Sequence, residues 1–445
     1  MSSAPPSQPT PVVTSLPLAD GLAFVPSQPA SRTGLSRIWI PFAVALLTAA
    51  MFAQGSIEIF ETRRAVALVS TCTAWALAAA FLFMGFPHRI SRKDVKSFAR
   101  KCLVAFLLAL ILSTFLVWFV DLRSNISDVA AQMVALALMS LPFFAFYAAA
   151  SVADVDRAVL LACHVILALC MISILADFMG VTNYEQQGGR YFGFLGDQSA
   201  WVLTLSLLVY FSSNRLVLAA ASVVALALTA SRAPAICVAA GLLLLMVFSR
   251  GRRFQYVATL LLMGFFAFYQ SEIFSTLAGR MSATEFGSSD RVVTARLGLR
   301  IFADSPVFGS GYNSYVYFFP NGMRRMLTGQ LPSQTSTFVQ MLSDGGLLLF
   351  LPYLAFVISL TVAGIGLLKR SRSSTDPGMI NGAVAWLLAM LWVNQSASWF
   401  LVGSYVGPLV FGIAGIVAGY WARERTAKRL QQEFAPSQHA LRGQV

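Results

Sequence analysis

Three arginines stand where the chain turns between apolar runs: Arg190 in GGRYFGFLGD, Arg232 in the short TASRAP turn, and Arg291 in SSDRVVTAR. Arginine carries a planar fork of donors that matches a phosphate or diphosphate. A lone arginine at the end of an apolar helix also serves simply by snorkelling. Three in separate turns on one side of a membrane form a candidate anion cradle, suited to a lipid-linked phosphate whose tail stays in the bilayer. Arg296 and Arg300 lie five and nine residues beyond Arg291. They either face the same headgroup or form the wet side of a helix.

Acids that can take a proton are few on that side. They are Glu185, Glu285, Asp290, Asp304 and Asp344, with Asp197 placed to complement a helix dipole. His164 lies inside an apolar run that also holds Asp177 near its far end. An ionisable group there is either a functional site or part of the bundle packing. His88, His164 and His439 are too scattered to build a metal cluster, and the five cysteines all lie in or beside apolar segments. No cofactor is expected. The glycines Gly309 and Gly311 in SPVFGSGYNS lack the lysine of a nucleotide loop and read as a tight turn.

The elements that position these residues must be membrane helices. Of 445 residues, 57% are hydrophobic and 11% charged, and soluble domains carry roughly a quarter charged residues. Apolar runs near 38–54, 65–85, 102–119, 129–150, 157–179, 196–211, 215–230, 233–249, 254–271, 346–368, 379–396 and 400–420 predict an all-α polytopic fold of about twelve spans. Residues 1–35, rich in Pro and Ser, read as a disordered cytoplasmic tail. Residues 36–272 hold the first nine helices, 273–345 a large external and partly helical loop or cap, 346–420 the last three helices, and 421–445 a second cytoplasmic tail.

Charge sets the orientation. The basic stretches HRISRKDVKSFARK, SRGRRF, KRSR and ARERTAKR all fall on one side when both termini are cytoplasmic, as do Lys93, Lys96, Lys101, Lys369 and Lys428. The short connections on the other side carry only Arg63, Arg64, Arg123, Arg190 and Arg232. The net charge of +13 is thereby a matter of topology and lipid contact, and calls for no nucleic acid. The expected location is a bacterial inner membrane. Within the loop, VVTARLGLRIFA at 292–303 has helical spacing, and LPSQTSTFVQMLSDGG at 331–346 reads as a helix entering the membrane with its polar start outside.

Four stretches resemble the O-antigen ligase and polysaccharide polymerase family of bacteria. GRYFGFLGDQSAWVLTL at 189–205 is similar to that family's first external arginine segment. TASRAP resembles its Ser-Arg-Gly turn, with Ala233 in the glycine's place. DRVVTARLGLRIFADSPVFGSGYNSY at 290–315 matches a third segment, with Arg291 on the family arginine, Pro306 on the proline, and Gly309 and Gly311 on the glycines. LPSQTSTFVQMLSDGGLLLF at 331–350 resembles the fourth, where Thr335 and Ser336 occupy the places of a His-Asn pair.

The resemblance implies glycosyl transfer at the external membrane face from an undecaprenyl-diphosphate-linked glycan to the sugar hydroxyl of another lipid-linked repeat. Arg190, Arg232 and Arg291 would stabilise the leaving diphosphate, and Asp344 or Asp304 would help deprotonate the acceptor. Arg296, Arg300, Thr335, Ser336, Gly309 and Gly311 are the implied substrate contacts. A chain-length regulator and a flippase of the same pathway are the implied partners. Loss of the family histidine tilts the reading from a ligase acting on lipid A core towards a polymerase of exopolysaccharide or O-antigen type. A transporter and a non-catalytic component of a polysaccharide complex are the remaining alternatives.

Overall fold

The computed structural model describes residues 97–120, 140–151, 155–180, 191, 198–229, 231–248, 255–256, 259–260, 263–264, 290–311, 336–371, 379–392 and 406–442. The expected runs near 38–54 and 65–85, most of that near 254–271, the N-terminal tail, and residues 273–289 and 312–335 of the expected loop lie outside them. Every regular element among the described residues is a helix: α1 (Phe98–Val120), α2 (Ser140–Ser151), α3 (Asp156–Phe178), α4 (Gln198–Ser212), α5 (Leu216–Thr229), α6 (Arg232–Phe248), α7 (Asp290–Asp304), α8 (Thr337–Ser371), α9 (Ile380–Trp392) and α10 (Val406–Arg442). Three stretches, Asp156–Phe178, Thr337–Ser371 and Val406–Arg429, are long and apolar enough to cross a membrane, and shorter apolar helices accompany them.

One boundary differs from the sequence reading. The last apolar run was expected to end near 420, yet α10 continues to Arg442. Residues 421–434 contain no glycine or proline and are rich in Ala, Arg, Glu, Lys and Gln, so nothing stops the helix as it leaves the apolar layer. The expected loop–helix boundary at 345–346 coincides with a break inside α8, where Gly346 departs from helical geometry at φ 58°, ψ −154°.

α8 packs against α1, α7, α9 and α10, while α4 packs against α3, α5, α6 and α9. Between lipid-facing helices the hydrophobic drive is small, so close backbone approach and buried hydrogen bonds carry specificity. Gly415 and Gly419, four residues apart on α10, lie against the Phe143 and Tyr147 carbonyls of α2, where a methyl group has no room. Trp386 of α9 is fully buried and its Nε1–H donates to Thr204 Oγ1 of α4 at 2.7 Å.

Helix ends sort into two groups. At one end the Arg370 guanidinium meets the Glu424 carboxylate at 3.1 Å, and Asn381 Nδ2 donates to Ser371 Oγ at 2.9 Å. There too the Gly382 N–H donates to Ser212 Oγ at 3.1 Å, and Tyr420 Oη accepts from the Val155 N–H at 2.9 Å. Ser212, Phe248, Tyr256, Ser371 and Asn381 line a narrow crevice in the same group. The opposite end holds the turn between α5 and α6, which Arg232 follows, and the glycine turn after α7.

Candidate functional site

Two junctions gather the four motifs in pairs. In the first, the Tyr191 N–H donates to the Leu228 carbonyl at 3.1 Å, and the Tyr191 ring stands edge-on to Phe178 at 5.3 Å. The segment that follows Arg190 is thereby tied to the last turn of α5, just before the TASRAP turn. Arg190 itself lies outside the described residues; Arg232 is the first residue of α6. Asp177, buried and adjacent to Phe178, brings a carboxylate to this junction. The apolar run around it gave the signal, since an acid inside a span is costly and rarely idle.

In the second junction the Gly-x-Gly turn plugs the break in α8. The Ser310 N–H and Oγ–H both donate to the Ser343 carbonyl, at 2.9 and 3.0 Å, and the Gly311 N–H donates to the Asp344 carbonyl at 2.8 Å. In return, Leu347 and Leu348 donate their N–H groups to the carbonyls of Pro306 and Val307 at 2.9 and 3.1 Å. A helix that ends leaves carbonyls unpaired, and one that begins leaves N–H groups unpaired. Here one turn satisfies both sets at once. Gly309 at φ +68° and Gly346 at φ +58° adopt conformations that L side chains rarely take. A Cβ on Gly309 would lie 2.5 Å from the Asp344 carbonyl carbon, and one on Gly346 2.5 Å from the Val307 carbonyl. Gly309 and Gly311 therefore hold the break; their backbone explains them without a ligand.

The arm ahead of the break folds back on the span. Phe338 reaches Phe350, Tyr353 and Trp392 at centroid distances of 6.0, 5.8 and 6.2 Å. Thr337, Gln340, Ser343 and Asp344 share one face of this arm and are all buried. These polar residues turn inward while the apolar Phe338 packs along the bundle; residues 331–335, most of the polar start read from the sequence, lie outside the described residues. Ser336 caps it, accepting from the Val339 N–H at 3.4 Å. Thr335 lies outside the described residues.

Asp344 is fully enclosed, and Ser343 Oγ–H donates to its Oδ1 at 3.4 Å. Asp304, the last residue of α7, is exposed. Arg296 and Arg300 are exposed as well, whereas Thr294 and Ile301 are buried. In helical register Arg291 shares the face of Thr294, Gly298 and Ile301, not that of Arg296 and Arg300. The three arginines of α7 thus divide between two faces.

His164 belongs elsewhere. Its Nδ1 is 2.7 Å from Tyr210 Oη and the two rings stack at 5.3 Å. Tyr210 lies one turn from the Ser213–Asn214 turn, at the end of the bundle away from both junctions. Packing between α3 and α4 accounts for it. Among the described residues no group of three or more His, Cys, Asp or Glu comes together to hold a metal ion.

No curated protein matches the chain. Residues 216–354, the stretch holding the TASRAP turn, α7, the glycine turn and the break in α8, match the family model Wzy_C, described as O-antigen ligase, and this match supports an O-antigen ligase/polymerase family for the chain.

Proposed function

We propose that the protein is a surface-polysaccharide polymerase working at the external face of the inner membrane. Its donor is a glycan on undecaprenyl diphosphate, and its acceptor is a sugar hydroxyl of another lipid-linked repeat. The observation that carries this reading is the plugged break in α8, which anchors the helix bearing Arg291 and lies wholly inside the family match.

In the proposed step the acceptor oxygen attacks the anomeric carbon of the donor. The bond from that carbon to the diphosphate oxygen breaks, and the lipid diphosphate leaves with the electron pair. Negative charge grows on the leaving group, so donors aimed at it stabilise the transition state more than the ground state. Arg190, Arg232 and Arg291 take that role in the proposal. The acceptor proton passes to a carboxylate. Asp304 is exposed and open to an incoming sugar, whereas Asp344 is enclosed and suits a positioning role at the break.

The matching family, described as O-antigen ligase, favours one second reading, ligation of a finished glycan to an acceptor, for which we take lipid A core. Reconstitution of the full chain in liposomes with lipid-linked repeats, with and without lipid A core, separates the two. Longer lipid-linked chains without core attachment support a polymerase, and glycan on core supports a ligase. Arg291→Ala is expected to abolish transfer, because a transition-state charge contact is worth about 3–4 kcal/mol, or a rate loss of 10²–10³. Transfer by that variant at the unsubstituted rate would remove the arginine from the mechanism.

A further inference from the structure

We propose that α7 and the turn after it form an interfacial anchor, seated in the lipid leaflet at the end of the bundle opposite the Arg370–Glu424 pair, with Arg296 and Arg300 on lipid phosphates. The inference needs only that α8 crosses a membrane; which leaflet is meant in the cell rests on the orientation given above.

Continuity with a lipid-facing surface is the first argument. Leu347, Leu351, Ile358 and Val362 are all exposed and lie at helical spacing on one face of α8, a helix long and apolar enough to span. Such a stripe faces hydrocarbon. The hydrogen bonds from Leu347 and Leu348 to Pro306 and Val307 fix the glycine turn at the end of that helix. Val307 and Phe308, 51% and 46% exposed, carry the apolar surface beyond the break. In water two such residues beside Leu347 would extend an apolar patch at a cost; in lipid they continue it at none.

The second argument is the order of residues around α7. Thr294, Gly298 and Ile301 face the protein. The exposed residues of the helix, at about 100° per residue, follow in the order Leu299, Ala303, Arg296, Arg300 and Asp304, and half-buried Leu297 leads back to the covered face. That is an apolar edge, then two cations, then an acid, which is the sequence of environments from acyl chain through phosphate to water. Interfacial helices have this profile, with long cations snorkelling to the headgroups. A helix standing free in water has no use for the gradient.

The occupant is phosphate-bearing lipid, and the arginines chosen for it are the two on the face away from Arg291. The test uses the full chain in nanodiscs, with Cys72→Ser, since Cys102, Cys163, Cys170 and Cys237 are buried. Single variants Leu299→Cys, Val307→Cys, Phe308→Cys and Asp304→Cys carry an environment-sensitive dye. Brominated acyl chains are expected to quench the first three more than aqueous iodide does, with the reverse order at 304. Four independent sites keep the test alive if one variant misfolds. Stronger iodide quenching at 299, 307 and 308 would overturn the proposal. Protection of those sites from both quenchers would overturn it too, and would point to a protein partner or a second copy on this face. Glycan transfer is not read, so loss of the proposed activity and loss of the anchor are separately visible.

Discussion

Replacing Gly346 by alanine tests whether the break in α8 is held by the glycine turn. At φ 58°, ψ −154° an alanine backbone is strained by about 1–3 kcal/mol. The added Cβ would also lie 2.5 Å from the Val307 carbonyl carbon and oxygen and 2.7 Å from the Pro306 oxygen. These are backbone atoms, so no side-chain rotation relieves the contact. The turn must withdraw, which removes the bonds from Leu347 and Leu348 to Pro306 and Val307. At about 1 kcal/mol each, these bring the total to about 3–5 kcal/mol. Gly180 supplies the control: its φ is +72°, but a Cβ there meets nothing within 4 Å. Gly180→Ala should cost about 1–2 kcal/mol, from conformation alone. Unfolding of the two variants by graded denaturant in mixed micelles measures the difference, and glycan transfer by Gly346→Ala should fall with it. Equal stability of the two variants would refute the interlock, because close approach would then contribute nothing.

Other expectations follow from contacts already described. Trp386→Phe keeps most of the buried ring volume but removes the donor to Thr204, so its stability loss should be about 1 kcal/mol in the same unfolding assay, and the double variant with Thr204→Val should cost little more. Lys428→Cys, exposed on α10, should react with a membrane-impermeant maleimide only after spheroplasts are permeabilised, given the basic residues at that end; labelling of intact spheroplasts would reverse the proposed orientation.

Much of the fold was legible because lipid as solvent leaves few options. Unbroken apolar runs such as ALALTA or AWLLAMLW must be helices, since no water is available to pair an open backbone. The helix from Asp290 and the turn at Pro306–Gly311 were legible too, from spacing and from glycine. The boundary at Gly346 was legible as well, but the interlocked break that forms there was not. Asp344-Gly345-Gly346 within a largely apolar stretch was its only local signal, and a pair of glycines in a span marks close packing as often as a kink. What decides between them is the Pro306–Gly311 turn, distant in sequence, which supplies the hydrogen bonds that make a broken helix affordable. The division of Arg291 from Arg296 and Arg300 follows from their spacing, but which face is covered was hidden for a similar reason. Spacing says which residues share a face, but only the packing of α7 on α8 says which face is covered.

The two groups of helix ends bear on where chemistry can occur. Contacts alone place Ser212, Phe248, Ser371, Asn381 and Glu424 together, without reference to charge. Lys369, Arg370, Arg423, Arg425 and Lys428 then lie at that same end, so packing and the basic bias sort the helices alike. At the other end the polypeptide is arranged differently. The bonds there are made by backbone groups of turns, from Tyr191 to Leu228 and from the glycine turn to the break in α8. Ser310 and Ser343 add side-chain bonds to this set, the second of them to Asp344. An end locked by pairs between helices is suited to fixing helices in a bilayer, whereas these backbone bonds bring the family-like stretches together in pairs. That convergence, more than any single residue, is why we propose the diphosphate at the end that carries the TASRAP turn and the glycine turn.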